Sequence, residues 1–355
     1  MSNLSDPNTG SRRFTFISLS STKASRTRNY FRGIQSKSIE VSWVDTSFFN
    51  LCKSLMRRDG VITKAENNVV TVCSPSHILV LPFVFFRGVR PHLDAGWPLF
   101  DGVISSRRQY GFLGFNLIKT YFIDFLAFHL SLNVIVESNE QKKRVIKRYF
   151  LSSDKVHVVL TGFDESRFRG IHIEEIDDNR NTQQVIMRGS DQEEAGISFL
   201  IEAANLARSK NINLFFRVVT NSHEKRAFFE NLKFSSNRIS DVELFKEYCS
   251  SQIALGQLSN HPRINWTIPH KFFEAAYLGL PYLSASSAPM RDLAEKNCVV
   301  LFEGGNSHDL LNRVVDLMSD KPKQDLISRN IKAYYEEYCS QSVLTENFLL
   351  VITKP

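Results

Sequence analysis

The sequence lacks paired cysteines and the common metal and phosphate motifs, and each absence excludes a class of function. Its five cysteines are widely scattered and form no Cys-x-x-Cys pair and no Cys/His cluster, which excludes a zinc module and a disulfide scaffold. We therefore expect reduced thiols in a cytosol. The absence of a His-Glu-x-x-His motif and of a Gly-x-x-x-x-Gly-Lys loop excludes zincin proteases and P-loop nucleotidases.

Long apolar runs are also missing. The N-terminal stretch MSNLSDPNTGSRR is polar and offers no cleavage site, so we expect no secretory signal and a cytoplasmic location. The most apolar stretch, residues 111–136, is interrupted by Lys119, Asp124 and His129, and its uninterrupted runs are too short to span a bilayer. It predicts a buried or surface-docking helix.

Charge is distributed unevenly along the chain. Residues 1–150 hold 21 Lys and Arg against 10 Asp and Glu, a net charge of +11, whereas residues 151–355 hold 23 against 27, a net charge of −4. A solvated positive face explains the asymmetry, and so does an anionic partner, such as the inner face of a membrane. The basic helix 139–149 lacks interleaved aromatic residues, so we expect no nucleic acid partner and keep peripheral membrane contact through the first domain as an alternative.

At 355 residues, with 43% hydrophobic and 23% charged residues, the chain is long enough for two globular domains. Short β-rich runs alternate with amphipathic helical stretches, which is typical of parallel sheets. Predicted strands include 13–19, 39–44, 68–73, 133–137, 156–160, 184–188, 214–220, 252–255, 281–284 and 299–302, and predicted helices include 26–36, 139–149, 193–210, 241–250 and 269–278. We predict an α/β fold of two Rossmann-like domains facing across a cleft, with the C-terminal helix returning to the first. The predicted limits are 1–168 for the first domain, 169–182 for an acidic linker and 183–355 for the second domain.

Ligands of open parallel sheets bind at the carboxyl ends of strands, where glycine loops lead into helix N-termini. The segment Arg188-Gly189-Ser190, the loop 256–269 and the helix that follows fit this description and predict a diphosphate cradle. Lys271 lies in the first turn of that helix, and Glu274 lies one turn further on the same face. A surface ion pair and a plain turn at Gly189 explain the same residues, so the spacing alone leaves both interpretations open.

The stretch GQLSNHPRINWTIPHKFFEAAYLGLPYLS resembles the donor-binding segment of glycosyltransferase family 4. The stretches MRGSDQEEAGISFLIEA and HVVLTGFDESRF resemble the start of that family's second domain and its interdomain crossover. In the first domain, KASRTRNYFRGI and DAGWPLFDG resemble the first loop and helix and the acceptor-side loop, so the resemblance extends over most of the chain. The matching positions in the donor-binding segment are Thr267, Ile268, Pro269, Lys271, Glu274, Gly279 and Pro281.

The resemblance implies a retaining glycosyltransferase of the GT-B type, which moves a sugar from a nucleotide-diphosphate sugar to a glycan or lipid-linked acceptor without a metal or other cofactor. It assigns Lys271 and Arg188 to the diphosphate, Glu274 to the ribose and Asp94 to the sugar or acceptor, with Asp101 as a second candidate catalytic carboxylate. A surface polysaccharide or lipopolysaccharide is the expected product. The full set of expected donor-binding residues is Arg188, Gly189, Ser190, Arg263, Thr267, Ile268, Pro269, His270, Lys271 and Glu274.

Three positions depart from the family pattern. Trp266 stands where many relatives carry a glutamate, His270 replaces an asparagine, and Ala195 replaces a lysine that clamps the diphosphate. Arg188 or Arg263 can supply the missing positive charge. The departures leave two alternatives open, namely a catalytically weakened protein that acts as a binding partner and a nucleotide-sugar epimerase.

Overall fold

The computed structural model describes residues 12–19, 25–57, 68–106, 114–171, 183–189, 192–220, 231–235 and 239–354. The chain forms two compact units, one of residues 1–164 together with 341–355, the other of residues 165–340. The first boundary lies four residues before the predicted limit at 168, and the chain's end groups with the first unit. Most of the predicted linker, from residue 172 to residue 182, lies outside the described residues.

A parallel six-stranded sheet forms the centre of the first unit. Its strands are β1 (Arg13–Ser18), β2 (Val41–Asp45), β3 (Asn68–Cys73), β4 (His92–Gly96), β5 (Val134–Val136) and β6 (Val156–Val158). Their order is β2-β1-β3-β4-β5-β6, so the direction of sheet growth reverses between β1 and β3. Continuous apolar runs such as that of β5 form these strands because helices cover both faces of the sheet.

Helices of the first unit pack on both faces of this sheet. They are α1 (Ser25–Ser36), α2 (Phe48–Arg57), α3 (Val80–Arg87), α4 (Leu99–Ser106), α5 (Phe115–Leu130) and α6 (Asn139–Tyr149). One face is covered by α2, α3, α5 and α6, which contribute Leu55, Phe83, Phe128 and Tyr149 to one core. On the other face, α1 contributes Tyr30 to a second core. No helix among the described residues is both long and apolar enough to cross a membrane.

The second unit is built around another parallel six-stranded sheet. Its strands are β7 (Gln184–Arg188), β8 (Phe215–Val219), β9 (Leu232–Phe234), β10 (Ile253–Leu255), β11 (Tyr282–Ala285) and β12 (Val300–Phe302). Their order, β9-β8-β7-β10-β11-β12, is that of a Rossmann fold, in which growth of the sheet reverses between the first and the fourth strand. The reversal here lies between β7 and β10.

Six helices of the second unit are described, followed by a π-helical turn at Tyr335–Cys339. They are α7 (Ile197–Ser209), α8 (Asp241–Cys249), α9 (His270–Leu278), α10 (Ala288–Glu295), α11 (Ser307–Ser319) and α12 (Lys321–Tyr334). Ser240 caps α8 through a capping box with Glu243, and Gly279 ends α9 with a φ of 66°. These residues are local signals that set the ends of both helices.

The final helix, α13 (Gln341–Ile352), belongs to the first unit and packs on α1. Phe348 stacks on Tyr30 with ring centroids 4.6 Å apart, and Gln341 Nε2 donates to Asn29 Oδ1 at 3.0 Å. A Cβ atom added at Gly33 would lie 1.9 Å from Thr345 Oγ1, so the two helices approach closely at this glycine. The terminal helix therefore returns to the first unit, as the sequence predicted.

Candidate functional site

The reversal of strand order in the second unit brings the carboxyl ends of β7 and β10 side by side. Leu255 pairs with Met187, Arg188 is the last residue of β7, and Gly256 follows directly after β10. Open parallel sheets bind ligands at such a point, because the loops that leave the two strands diverge and leave a crevice. Two of the segments that the sequence singled out, at Arg188 and at Gly256, lie here.

Two glycines allow the loops at this point to approach closely. A Cβ atom at Gly256 would lie 2.3 Å from Ser284 Oγ and 2.7 Å from the Tyr282 hydroxyl. Gly196 has a φ of +70°, and a Cβ atom there would lie 2.7 Å from the backbone nitrogen of Ser259. Side chains at these positions would push the loops apart, so the glycines keep the end of the sheet compact.

Lys271 lies in the first turn of α9, beside the two strand ends. Its Nζ donates to the Gly256 carbonyl oxygen at 2.9 Å, and a Cβ atom at Gly189 would lie 3.6 Å from the same Nζ. Burial and the nearby charge of Arg188 lower the pKa of Lys271 to about 7. The N-cap residue of α9, Pro269, makes no side-chain hydrogen bond to the helix, so the first amide groups retain the partial positive charge of a helix start.

Glu274 lies one turn further along α9 and is completely buried. Its Oε2 accepts a hydrogen bond from the Tyr248 hydroxyl at 2.9 Å, and its Oε1 accepts from Arg167 Nη1 at 3.0 Å and from Arg188 Nη1. Burial would raise the pKa of Glu274, but the charges of Arg188, His270 and Arg167 outweigh it, so the pKa is lowered. The side chain is therefore a carboxylate that two guanidinium groups share.

The cluster brings two guanidinium groups and an amine together at the carboxyl ends of the strands. Arg188 and Arg167 share the single charge of Glu274, and Arg167 also donates to Asp241 Oδ1 at 2.5 Å. Lys271 adds a further amine on the same side of α9. Guanidinium groups and a helix start are strong donors to phosphate oxygens, so this arrangement suits a diphosphate.

Two residues of this cluster, Arg167 and Tyr248, have no part in the sequence prediction. Arg167 lies in the short turn Glu165–Arg167, 107 positions before Glu274, and no local pattern predicts a contact over such a separation. The stretch HVVLTGFDESRF includes Arg167, but only its glycine, aspartate and phenylalanine carry the resemblance. Tyr248 is one of several buried aromatic residues on amphipathic helices, which is a weak signal on its own.

The other predicted donor residues lie nearby or outside the description. Arg263, in the turn Pro262–Asn265, donates to Glu194 Oε1 at 2.6 Å, so its described ion pair is with the loop before α7 and not with Glu274. Residues 267–269 lie directly before α9. Ser190 lies outside the described residues.

In the first unit, Asp94 lies near the carboxyl end of β4 and is buried. Its Oδ1 accepts from Arg26 Nε at 2.9 Å, and Arg26 Nη1 donates to the Val159 carbonyl oxygen at 2.8 Å. Asp94 Oδ2 and Arg26 Nη2 are buried and have no hydrogen-bond partner among the described residues. Burial would lower the pKa of Arg26, but the charge of Asp94 outweighs it and the pKa is raised. A buried acceptor and donor that lack partners favour a polar ligand group at this ion pair.

Asp101 has different partners. Its carboxylate accepts from Arg144 Nη2 at 2.9 Å and from Arg148 Nη1, both on α6. This pairing joins α4 to α6. The described contacts thus do not bring Asp101 together with Asp94, and they favour a structural role for Asp101 beside the catalytic one that the sequence suggested.

The described residues also contain a buried pair that the sequence did not predict. His77 Nδ1 lies 2.6 Å from Asp124 Oδ1, and Asp124 Oδ2 accepts from the backbone nitrogen of Phe100 at 2.9 Å. Both side chains are fully buried. The pair therefore joins the turn before α3 to α5, and the hydrogen bond from Phe100 joins α5 to the start of α4.

Comparison with known proteins finds similar structures but no match in sequence. No family model matches the chain, and no curated protein matches it. Among solved structures, sucrose-phosphate synthase from Thermosynechococcus elongatus has a TM-score of 0.72 at 11% identity, with 95% of this chain and 97% of that chain covered. Anabaena HepE in complex with UDP-glucose has a TM-score of 0.70 at 13% identity, with 97% and 100% covered.

A third similar structure has another activity in its description. A Listeria monocytogenes protein described as a UDP-N-acetylglucosamine 2-epimerase has a TM-score of 0.60 at 11% identity, with 96% of each chain covered. Likeness at such low identity shows the fold alone. The predicted fold of two Rossmann-like domains, as in GT-B proteins, is thereby confirmed.

Proposed function

We propose that the protein is a glycosyltransferase that moves a sugar from a nucleotide-diphosphate sugar to a glycan or lipid-linked acceptor. The observation that carries the proposal is the cluster of Arg167, Arg188 and Lys271 beside the start of α9, at the reversal of strand order. A departing nucleoside diphosphate gains negative charge as the glycosidic bond breaks. Fixed positive groups that meet this charge lower the barrier to transfer.

Each residue of the cluster receives a role. Lys271 and Arg188 bind the diphosphate, helped by the first amide groups of α9. The resemblance assigns Glu274 to the ribose, and its contacts support a second role, which is to hold Arg167 and Arg188 in position. Asp94, with its unpaired Oδ2, binds a hydroxyl group of the transferred sugar or of the acceptor.

Similar structures support the nucleotide part of the proposal, since HepE was crystallised with UDP and with UDP-glucose. The resemblance to glycosyltransferase family 4 supports a hexosyl transfer with retention of the anomeric configuration, in the synthesis of a surface polysaccharide or lipopolysaccharide. We further propose that the reaction needs no metal, because cationic side chains supply the positive charge. We also propose a cytoplasmic location with all five cysteines as reduced thiols.

Thermal unfolding in the presence of UDP, GDP, ADP, CMP and their sugar conjugates tests the donor site, since a ligand of the folded state raises the melting temperature. We expect one nucleotide diphosphate to do so. The shift should be lost in Arg188→Met and kept in Arg217→Met, a buried arginine that pairs with Glu247 instead. No shift with any nucleotide would refute the proposed site, and a shift that survives Arg188→Met would refute its assignment.

A nucleotide-sugar epimerase is the second candidate, favoured by the likeness to the Listeria protein. NMR of the donor incubated without an acceptor separates the two. An epimerase forms a new sugar epimer under these conditions, whereas a transferase forms a product only when an acceptor is added. The NMR spectrum of that product then gives its anomeric configuration. Binding of the donor without turnover under either condition would indicate a weakened protein that acts as a binding partner.

A further inference from the structure

The outer side of three helices in the first unit exposes an unusual number of large apolar side chains. The helices α2, α3 and α5 bury one side against the sheet, and α3 packs against both of the others. Their opposite side, together with Val89 two residues after the end of α3, forms what we call the apolar face. It consists of Phe49, Met56, Phe85, Phe86, Val89, Phe115, Ile118, Phe122 and Leu126.

Helix α5 shows the pattern most clearly. Phe115, Ile118, Phe122 and Leu126 follow the spacing of a single helical stripe, and all are exposed, Phe115 to 80%. The buried Phe128 lies on the other side of the same helix. The helix is therefore apolar on two sides, of which only one contributes to the core.

Nine exposed large apolar side chains belong to this face, whereas Leu132, Phe150 and Leu350 lie elsewhere in the first unit. The described part of the second unit exposes only Val242, Leu326 and Tyr338 among its large apolar side chains, each on a different element. Single exposed apolar residues are ordinary on protein surfaces, whereas a group of them marks an interaction site.

Among the described residues of these three helices, the exposed charges are of one sign. Lys53, Arg57 and Lys119 are exposed on α2 and α5, and Arg90 follows α3. The single carboxylate on the three helices, Asp124, is buried and paired with His77. The face thus combines apolar side chains with positive charge and offers no exposed carboxylate of its own helices.

We propose that the apolar face binds the surface of an anionic lipid bilayer. Phenylalanine side chains enter the boundary between headgroups and acyl chains, and Lys53, Arg57 and Lys119 contact lipid phosphates. Arg90 donates to the carbonyl oxygens of residues 129–131 and adds only its charge. A second copy of the chain is a poorer occupant, because two identical faces would bring positive charges together without carboxylates to pair them. A protein partner is also a poorer fit, since lysine is depleted in protein interfaces.

Flotation of the full-length protein with vesicles tests the proposal. We expect binding to vesicles of phosphatidylcholine mixed with phosphatidylglycerol, weak binding to phosphatidylcholine alone, and release by added salt. The triple variant Phe85→Gln, Phe115→Gln, Phe122→Gln should bind at least about tenfold more weakly, because burying one phenylalanine alone is worth about this factor. The triple variant Val242→Gln, Leu326→Gln, Tyr338→Gln is the matched control and should bind like the wild type.

A second variant, which changes only charge, tests the proposal even if the triple phenylalanine variant fails to fold. Lys53→Gln with Lys119→Gln should weaken binding by roughly fivefold per lysine for anionic vesicles, from the attraction of one charge to such a surface. Light scattering of all variants shows whether the face joins two copies. A wild type that does not float, variants that float unchanged, or a dimer that the phenylalanine variant dissolves would each overturn the proposal. Nucleotide-induced thermal shifts should persist in both variants, so a failure here is distinct from a failure of the proposed donor site.

Discussion

Replacing Glu274 by glutamine removes one buried negative charge and almost no volume. The carboxylate accepts hydrogen bonds from Arg167, Arg188 and Tyr248, and an amide can serve only part of this set. We therefore expect Glu274→Gln to destabilise the second unit and to weaken the binding of a nucleotide diphosphate, because the two arginines lose the group that positions them.

The size of the effect follows from burial. Removing one partner of a buried ion pair costs about 3–5 kcal/mol when the other charge stays buried. Here the side chains of Arg188 and Arg167 are 32% and 21% exposed, so water compensates in part. We expect a loss of about 2–3 kcal/mol in the free energy of unfolding. For a unit of this size that corresponds to a fall of roughly 4–12 °C in melting temperature.

The pH dependence has a definite sign. The pKa of Glu274 in the folded protein is lowered from its ordinary value of 4.5, so its stabilising contribution is complete above that value. It is lost as the pH falls through the lower folded-state pKa. The difference in stability between wild type and Glu274→Gln should therefore be constant at neutral pH and shrink at acidic pH below 4.5.

Urea unfolding followed by circular dichroism at neutral and acidic pH measures these differences. The matched control is Glu336→Gln, the same substitution at an exposed residue paired with Lys332, where we expect a change below about 0.5 kcal/mol. A Glu274→Gln protein within about 0.5 kcal/mol of the wild type would refute the role of Glu274 as the holder of the two arginines. So would a difference that does not shrink in acid.

Three further outcomes are expected. When a nucleotide diphosphate binds at pH 8, the protein should take up as much as about one proton, because the bound anion raises the pKa of Lys271 from about 7. Calorimetry in two buffers of different ionisation enthalpy measures this proton uptake, which should be absent in Lys271→Met. Gly33→Ala should cost about 1–3 kcal/mol by crowding Thr345 and be partly rescued by Thr345→Ala; a double variant no more stable than Gly33→Ala in urea would contradict this packing. Asp101→Asn should lower the melting temperature and leave the turnover of the folded protein nearly unchanged, whereas Asp94→Asn should lower that turnover by at least about tenfold. Equal losses of turnover in the two variants would contradict the distinction.

Much of the fold was predictable because parallel strands and amphipathic helices have distinct patterns. Strands 68–73 and 184–188 and helix 139–149 have the predicted bounds. The prediction missed β9, which has three residues, and the helices α2, α4 and α10, which have ten, eight and eight residues. Elements this short span too few turns or alternations to set a period clearly.

The candidate site was predictable only in part. Arg188 ends strand β7 and Lys271 lies in the first turn of α9, so the rule that parallel sheets bind ligands at the carboxyl ends of their strands selects both residues. Arg167 and the arginines of α6 have no such rule, because ion pairs between distant segments leave no pattern in sequence. The basic helix 139–149 thus predicts a solvated or membrane-facing surface, yet Arg144 and Arg148 turn towards Asp101.

The departures from the family pattern acquire a physical meaning in this cluster. Ala195 is buried, and its carbonyl oxygen accepts from the backbone nitrogen of Leu258. Its methyl side chain carries no charge, so the cation of the family pattern is missing at this position. Arg188 and Arg167 both donate to Oε1 of Glu274 instead, and its negative charge offsets the repulsion between the two like charges. Asp241 pairs with Arg167 as well, so two carboxylates offset the two guanidinium charges, and further positive charge comes from the amine of Lys271 when it is protonated. The diphosphate site that we propose therefore uses a different set of side chains from the family pattern.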